Sequence, residues 1–288
     1  MMKMVIFISP HLDDVTLSCG GFVHQCVQAG RKTVIVSVCS ADAPPRAQLS
    51  PTALRIHDTE WRLGDQPYIA RRAEDTRACN LLGAQAVHLN LPDAIYRYDA
   101  DGNPYYLENF MGGQVIPADF ATQGQQLQAS LHALLTDLTH NQDKHALIGI
   151  VPLALGGHID HVITRHSAEA VFAEWGIPLS YYEDFPYAEK DDVLSRAEMR
   201  GKTAHTVALS EADISARIKA IWCYTSQLEV VFHVEQHPNV PEAVAQRVRR
   251  YVTLANGERY WLIGNPFQRL GHVSQVNQKI FGTTQNRP

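Results

Sequence analysis

The stretch that decides the fold is "VIFISPHLDDVTLSCGG", Val5 to Gly21. A short apolar run enters a turn that holds a proline, a histidine and two adjacent aspartates, and a second apolar segment follows at once. The run from Met4 to Ser9 predicts a buried strand, and the pattern from Asp14 towards Ala29, stopped by Gly30, predicts a helix. "KTVIVSVCS", Lys32 to Ser40, predicts a second fully buried strand, which completes a β-α-β unit. Side-by-side carboxylates repel each other, so a fold that gathers them at a strand end must compensate their charge. A bound cation is the obvious candidate.

The alternation continues down the chain. "ARRAEDTRACNLLGA" reads as a helix ending at Gly83, "AVHLNLP" as a third strand, "QLQASLHALLTDLTHN" as a helix, "HALIGIVPLAL" as a strand, "DHVITRHSAEAVFAEW" as a helix and "LSYYED" as a strand. Later, "SEADISARIKAIWCYTSQL" opens with a Ser-x-x-Asp cap, and "PEAVAQRVRRYVTLAN" has helical periodicity. The expectation is an α/β fold, Rossmann-like, with a mostly parallel sheet flanked by helices. Residues 1–288 are expected to form one domain, with long irregular loops at 40–67 and 93–120 and a helical extension after about residue 227.

Composition excludes several classes of protein. With 288 residues, 45% hydrophobic and 19% charged, the chain can bury a substantial core. A net charge of −5 and no Lys/Arg run argue against a nucleic-acid partner. No apolar stretch approaches bilayer length, and the five scattered cysteines form no C-x-x-C pair, so a cytoplasmic protein with reduced thiols is expected. No heptad pattern sets an oligomeric state.

A second polar turn, "GGHIDH", Gly156 to His161, follows the strand near Ile150. In open α/β sheets the ligand crevice lies at the carboxyl ends of the strands where strand order reverses. If the two strands are neighbours there, the turns bring together His11, Asp13, Asp14, His158, Asp160 and His161, enough for a two-histidine, one-carboxylate metal site with spare acid and base groups. Asp14 alone fits a helix cap, but capping explains neither His158 nor His161. Gly20 and Gly21 do not make a dinucleotide motif, because that motif needs its glycines in the turn, where two carboxylates would repel phosphate. His57, His166 and His205 read as ordinary exposed or hydrogen-bonded histidines.

On these residues the chain resembles the PIG-L or LmbE-like family of metal-dependent N-deacetylases, which act on molecules containing N-acetylglucosamine. "PHLDD", Pro10 to Asp14, matches the family's (A/P)-H-P-D-D, and "HIDH", His158 to His161, its H-x-D-H; "RRAED" from Arg71, "LPDA" around Asp93 and "YTSQ", Tyr224 to Gln227, add support. The resemblance implies that His11, Asp14 and His161 hold the metal and that Asp13 is the general base. It further implies that His158 stabilises the oxyanion, oriented by Asp160, and that Arg71 and Asp93 hold the sugar. Leu12, Val15 and Ile159 depart from the pattern without removing a proposed ligand, and Gly156 stands where some relatives carry a tyrosine assigned to the oxyanion.

The expected function is therefore hydrolysis of an N-acetyl group on an amino sugar, a small-molecule substrate, releasing acetate. Zinc is the expected cofactor, although two histidines and one carboxylate also suit ferrous iron or another divalent metal. The rivals are an amide hydrolase of the same scaffold acting on a larger acyl or thiol-conjugate substrate, and a binding protein with a structural metal. Tyr96 and Arg97 in "DAIYRYD" lie where they could reach a glycan or phosphate, though a loop arginine is more often solvated.

Overall fold

The structure is a computed structural model that describes residues 4–140, 146–189, 199–233 and 238–263. Seven strands form one sheet: β1 (Met4–Ser9), β2 (Lys32–Cys39), β3 (Gln85–Leu91), β4 (Leu147–Pro152), β5 (Leu179–Tyr182), β6 (Lys202–Val207) and β7 (Glu258–Ile263). Their order is β3-β2-β1-β4-β5-β7-β6. Strands β1 to β5 pair parallel with one another, whereas β7 runs antiparallel to both β5 and β6.

Parallel strands buried on both faces require unbroken apolar runs, and every residue of β1 is buried. Val5 and Phe7 pack with Val15, Cys19, Phe22 and Val23 of α1 (Asp14–Gln28) and with Ala78, Cys79 and Leu82 of α3 (Pro67–Leu82). On the other face Met4, Ile6 and Ile8 join Leu127, Leu131 and Leu135 of α4 (Pro117–Thr139) and Ala168, Val171 and Phe172 of α5 (Ile159–Glu174). The result is a three-layer sandwich. The chain builds outward from β1 to β3 and then crosses back to β4, so strand order reverses between β1 and β4. Their carboxyl ends, where "SPHLDD" and "GGHIDH" begin, flank the crevice.

Two expectations need correction. The loop at 40–67 is not wholly irregular: Ser50 accepts the Ala53 N–H and starts α2 (Pro51–Arg55), which continues as a wider turn over Ile56–Trp61. After about residue 227 come α7 (Leu228–Phe232) and α8 (Val240–Ala255), but the expected helical extension then supplies β7, which enters the sheet between β5 and β6. The β6 sequence, "KTAHTV", is polar and only partly buried at the sheet edge, so it lacks the apolar signal of a buried strand. The Ser210–Asp213 capping box at the start of α6 (Glu211–Ile221) is present. Among the described residues, no helix is long and apolar enough to cross a membrane.

Candidate metal centre and active site

The turn after β1 and the first turn of α5 meet at Asp14. Its Oδ2 lies 3.3 Å from His11 Nδ1 and 3.3 Å from His161 Nε2, and it accepts the His11 backbone N–H at 2.7 Å. Two ligand atoms about 2.1 Å from one tetrahedral zinc stand about 3.4 Å apart, so both Asp14 distances suit a shared ion, and the three ligand atoms lie within 4.8 Å of one another. The other nitrogen of each ring is also partnered. His161 Nδ1 is 2.7 Å from Asp184 Oδ1, and His11 Nε2 is 3.2 Å from Asp160 Oδ2. Metal-ligating histidines characteristically carry such outer carboxylates.

A second metal-capable group, His11, His158 and Asp160, fits less well. Asp160 already accepts the Ala94 N–H at 3.0 Å and an Arg97 guanidinium hydrogen bond, and His158 Nδ1 accepts the Asp160 backbone N–H at 3.1 Å. The Asp160 oxygens and His158 Nδ1 are thus already engaged within the protein.

Charges follow this geometry. Burial opposes a charge on His161, but Asp14 and Asp184 outweigh it and raise the pKa to about 9. His11 is likewise held well above the usual imidazole value, burial being outweighed by Asp14, Asp160 and Asp93. Asp14 is held well below the usual carboxylate range, because His161 and His11 overcome its burial. Protons on two imidazoles thus balance the acidic cluster, and a divalent ion would take their place. Asp13, 5% exposed, makes no short ion pair among the described residues, the nearest being Arg71 Nη2 at 3.9 Å. Burial and then Asp14 push its pKa up, while Arg71 opposes the rise. His158 moves the other way: burial and the neighbouring His11 keep it neutral.

These groups face a cavity of about 180 Å³. Ile56 and Trp61 of the first long loop and Ile95, Phe110 and Met111 of the second form much of its wall, which Gln227 also lines. Backbone hydrogen bonds pin the second loop to the "GGHIDH" turn, from Ile159 N–H to Phe110 O (2.9 Å) and from Gly112 N–H to Gly157 O (3.0 Å). The Arg71 guanidinium lies over the edge-to-face pair of Trp61 (4.7 Å) and Tyr68 (4.9 Å), and Asp93 accepts the Tyr68 hydroxyl at 2.5 Å; Arg71 and Asp93 both line the cavity.

Residues 6–172 match the family model described as PIG-L, GlcNAc-PI de-N-acetylase, which is more than half of the chain. The chain belongs to the PIG-L family. The family's chemistry is hydrolytic removal of an N-acetyl group. Among curated relatives, the chain is 27% identical over 231 residues to 2'-N-acetylparomamine deacetylase of Streptomyces fradiae, covering 78% of this chain and 73% of that one. It is 29% identical over 196 residues to the same enzyme of Niallia circulans, covering 64% and 68%. Among solved structures, the zinc-inhibited form of teicoplanin deacetylase superposes with a TM-score of 0.72 at 25% identity, covering 90% of this chain and 97% of that one. The A40926 pseudoaglycone deacetylase superposes with a TM-score of 0.67 at 26% identity, covering 91% and 97%.

This PIG-L chain differs from the sequence expectation at several points. Arg97 is neither solvated nor in the cavity wall. It is 5% exposed and paired with Asp160 and with Asp119, whose Oδ1 is 2.9 Å from its Nε. Tyr96 is buried and bonded to His57 Nε2 at 2.5 Å rather than open to a glycan, and His57 is one of the hydrogen-bonded histidines the sequence allowed. The Asp160 carboxylate does not hydrogen-bond His158, its nearest approach to Nδ1 being 3.9 Å. At Gly156, a Cβ would lie 2.8 Å from the Tyr187 ring, so no side chain fits, and Tyr187 itself lines the cavity 6.0 Å from the His161 ring centroid. Asp184 was missed by sequence reasoning. Its signal was the "ED" closing "LSYYED", a carboxylate at the end of the strand beside β4.

Proposed function

We propose that the protein is a metal-dependent hydrolase that removes the N-acetyl group of an amino sugar in a small glycoside, releasing acetate and a free amine. The observation that carries this reading is the Asp14 triangle with His11 and His161, set beside an uncommitted carboxylate, Asp13, in one cavity. The 2'-N-acetylparomamine deacetylases and the A40926 pseudoaglycone deacetylase among the relatives support the substrate class. A cytoplasmic location agrees with the free cysteines of the described chain.

His11, Asp14 and His161 would hold the ion, with zinc as the favoured metal. When bound, such an ion supplies Lewis-acid polarisation of the amide carbonyl and makes water nucleophilic near neutral pH. Asp13 takes the proton from the attacking water as its oxygen bonds to the carbonyl carbon. His158 has Nδ1 occupied as an acceptor, so its tautomer carries the proton on Nε2, which can donate to the oxygen where negative charge develops. Asp13 then returns its proton to the nitrogen as the C–N bond breaks. Arg71 and Asp93, on the cavity wall, would hold the sugar.

The test is metal content of the purified protein, combined with acetate release from N-acetylglucosamine derivatives and 2'-N-acetylparomamine before and after chelation. The zinc additions should span substoichiometric to excess ratios, since one solved relative is a zinc-inhibited form. About one ion per chain with chelator-sensitive release supports the reading. Bound metal with release only from longer acyl amides would move the substrate class, and bound metal with no release from any amide would leave a binding protein.

A further inference from the structure

We infer that Asp160 is a positioning residue for His11, rather than for His158, and that it ties metal affinity to the second long loop through Arg97. The inference rests on the proposed metal reading and deepens it. His158 cannot be oriented by the Asp160 carboxylate: the closest oxygen is 3.9 Å from Nδ1, and Nδ1 is already an acceptor from the Asp160 N–H. A nitrogen that accepts has no proton to give a carboxylate.

The carboxylate points elsewhere. Its Oδ2 accepts the Ala94 N–H at 3.0 Å and stands 3.2 Å from His11 Nε2, while its Oδ1 accepts from Arg97 Nη1. Arg97 is fixed in turn by Asp119, which receives Nη2 at 3.0 Å and the Tyr106 hydroxyl at 2.9 Å. Apart from Asp160 and His11, every member of this set belongs to residues 93–120, the second long loop and the start of α4.

His11 and His161 are therefore built alike. Each turns one ring nitrogen to Asp14, and each turns the other to a buried carboxylate of its own, Asp160 for His11 and Asp184 for His161. A carboxylate in that position fixes which nitrogen carries the proton and leaves the other free to bind an ion, and losing it typically weakens metal binding by about 10- to 100-fold. His11 Nε2–H donating to Asp160 leaves Nδ1 as the ligand atom.

The experiment measures the zinc dissociation constant of the full-length protein by competition with a chromophoric chelator, for wild type, Asp160→Asn, Asp184→Asn and His158→Ala. The expected result is a loss of about 10- to 100-fold for Asp160→Asn, of the same order as for Asp184→Asn, with His158→Ala binding as wild type. Unchanged affinity in Asp160→Asn, with the metal-free melting temperature also unchanged, overturns the inference. Should Asp160→Asn fail to fold, nitrogen-15 spectra of the histidines in the zinc-loaded wild type decide: a proton on His11 Nε2 supports the inference and one on Nδ1 overturns it. Wild type that binds no zinc instead rejects the metal reading itself, which separates the two failures.

Discussion

Glu258, in the last described strand, accepts the backbone N–H groups of both Gly21 and Phe22 at 2.9 Å, and so clamps the helix that begins at Asp14. The same carboxylate receives Arg217 Nη1 at 3.1 Å, and Arg217, fully buried, also donates to the Leu17 carbonyl. The end of the described chain thus holds the helix from which the candidate metal turn projects.

Removing one partner of a buried pair leaves the other charge uncompensated. Glu258→Ala should lower stability by about 3–5 kcal/mol in urea unfolding, and the double variant Arg217→Met/Glu258→Ala should recover part of that loss. A double variant no more stable than Glu258→Ala would mean that the two N–H contacts to α1, not the ion pair, carry the effect.

Gly21 is required by close approach. A Cβ there would lie 2.5 Å from Leu209 Cδ1 and 2.9 Å from Glu258 Oε1. Gly21→Ala should therefore cost about 1–3 kcal/mol through overpacking, despite alanine's better helix propensity, and a midpoint equal to wild type would show that Leu209 yields freely. This is also why a glycine pair follows "PHLDD": it admits α6 and β7 against α1.

Asp213 joins α6 to α1. It accepts from Ser210 in the capping box, from Gln25 Nε2 at 2.8 Å, and faces His24 Nδ1 at 2.8 Å. Burial works against its charge, but Ser210, Gln25 and His24 together depress its pKa below the usual carboxylate value. A depressed folded pKa gives stability that is present above the unfolded value of about 4 and is lost as pH falls through the folded one. Asp213→Asn should thus cost about 1 kcal/mol at pH 7, and its urea midpoint should converge on that of wild type below about pH 4. A gap that persists undiminished at the lowest pH would assign the effect to geometry rather than charge.

How far the sequence revealed this can be read from particular residues. The apolar run into "PHLDD" and the second turn "GGHIDH" were legible because parallel strands and strand-end carboxylates leave local signatures. The pairing of β1 with β4, on which the site depends, followed only conditionally, since register between distant strands is not local. Arg97 looked like a solvated loop arginine because its partners, Asp119 and Asp160, lie 22 and 63 residues away. Asp184 and Tyr187 enter the site by the tertiary crossing of β5, and β6 hid because an edge strand carries half the apolar signal of a buried one.

The proposed role of Asp13 gives the sharpest test of the chemistry. It is buried and adjacent to the ligand set, yet it is bonded to neither His11 nor His161, and Arg71 at 3.9 Å is its closest ion-pair partner. Asp13→Asn preserves shape and removes only the ability to take a proton. Acetate release should fall by about 10²- to 10⁴-fold, the range for a general base, while zinc stoichiometry stays at the wild-type value. Loss of zinc together with activity would make Asp13 a ligand, and the triangle at Asp14 would need a fourth protein atom; full activity would remove Asp13 from the proton path.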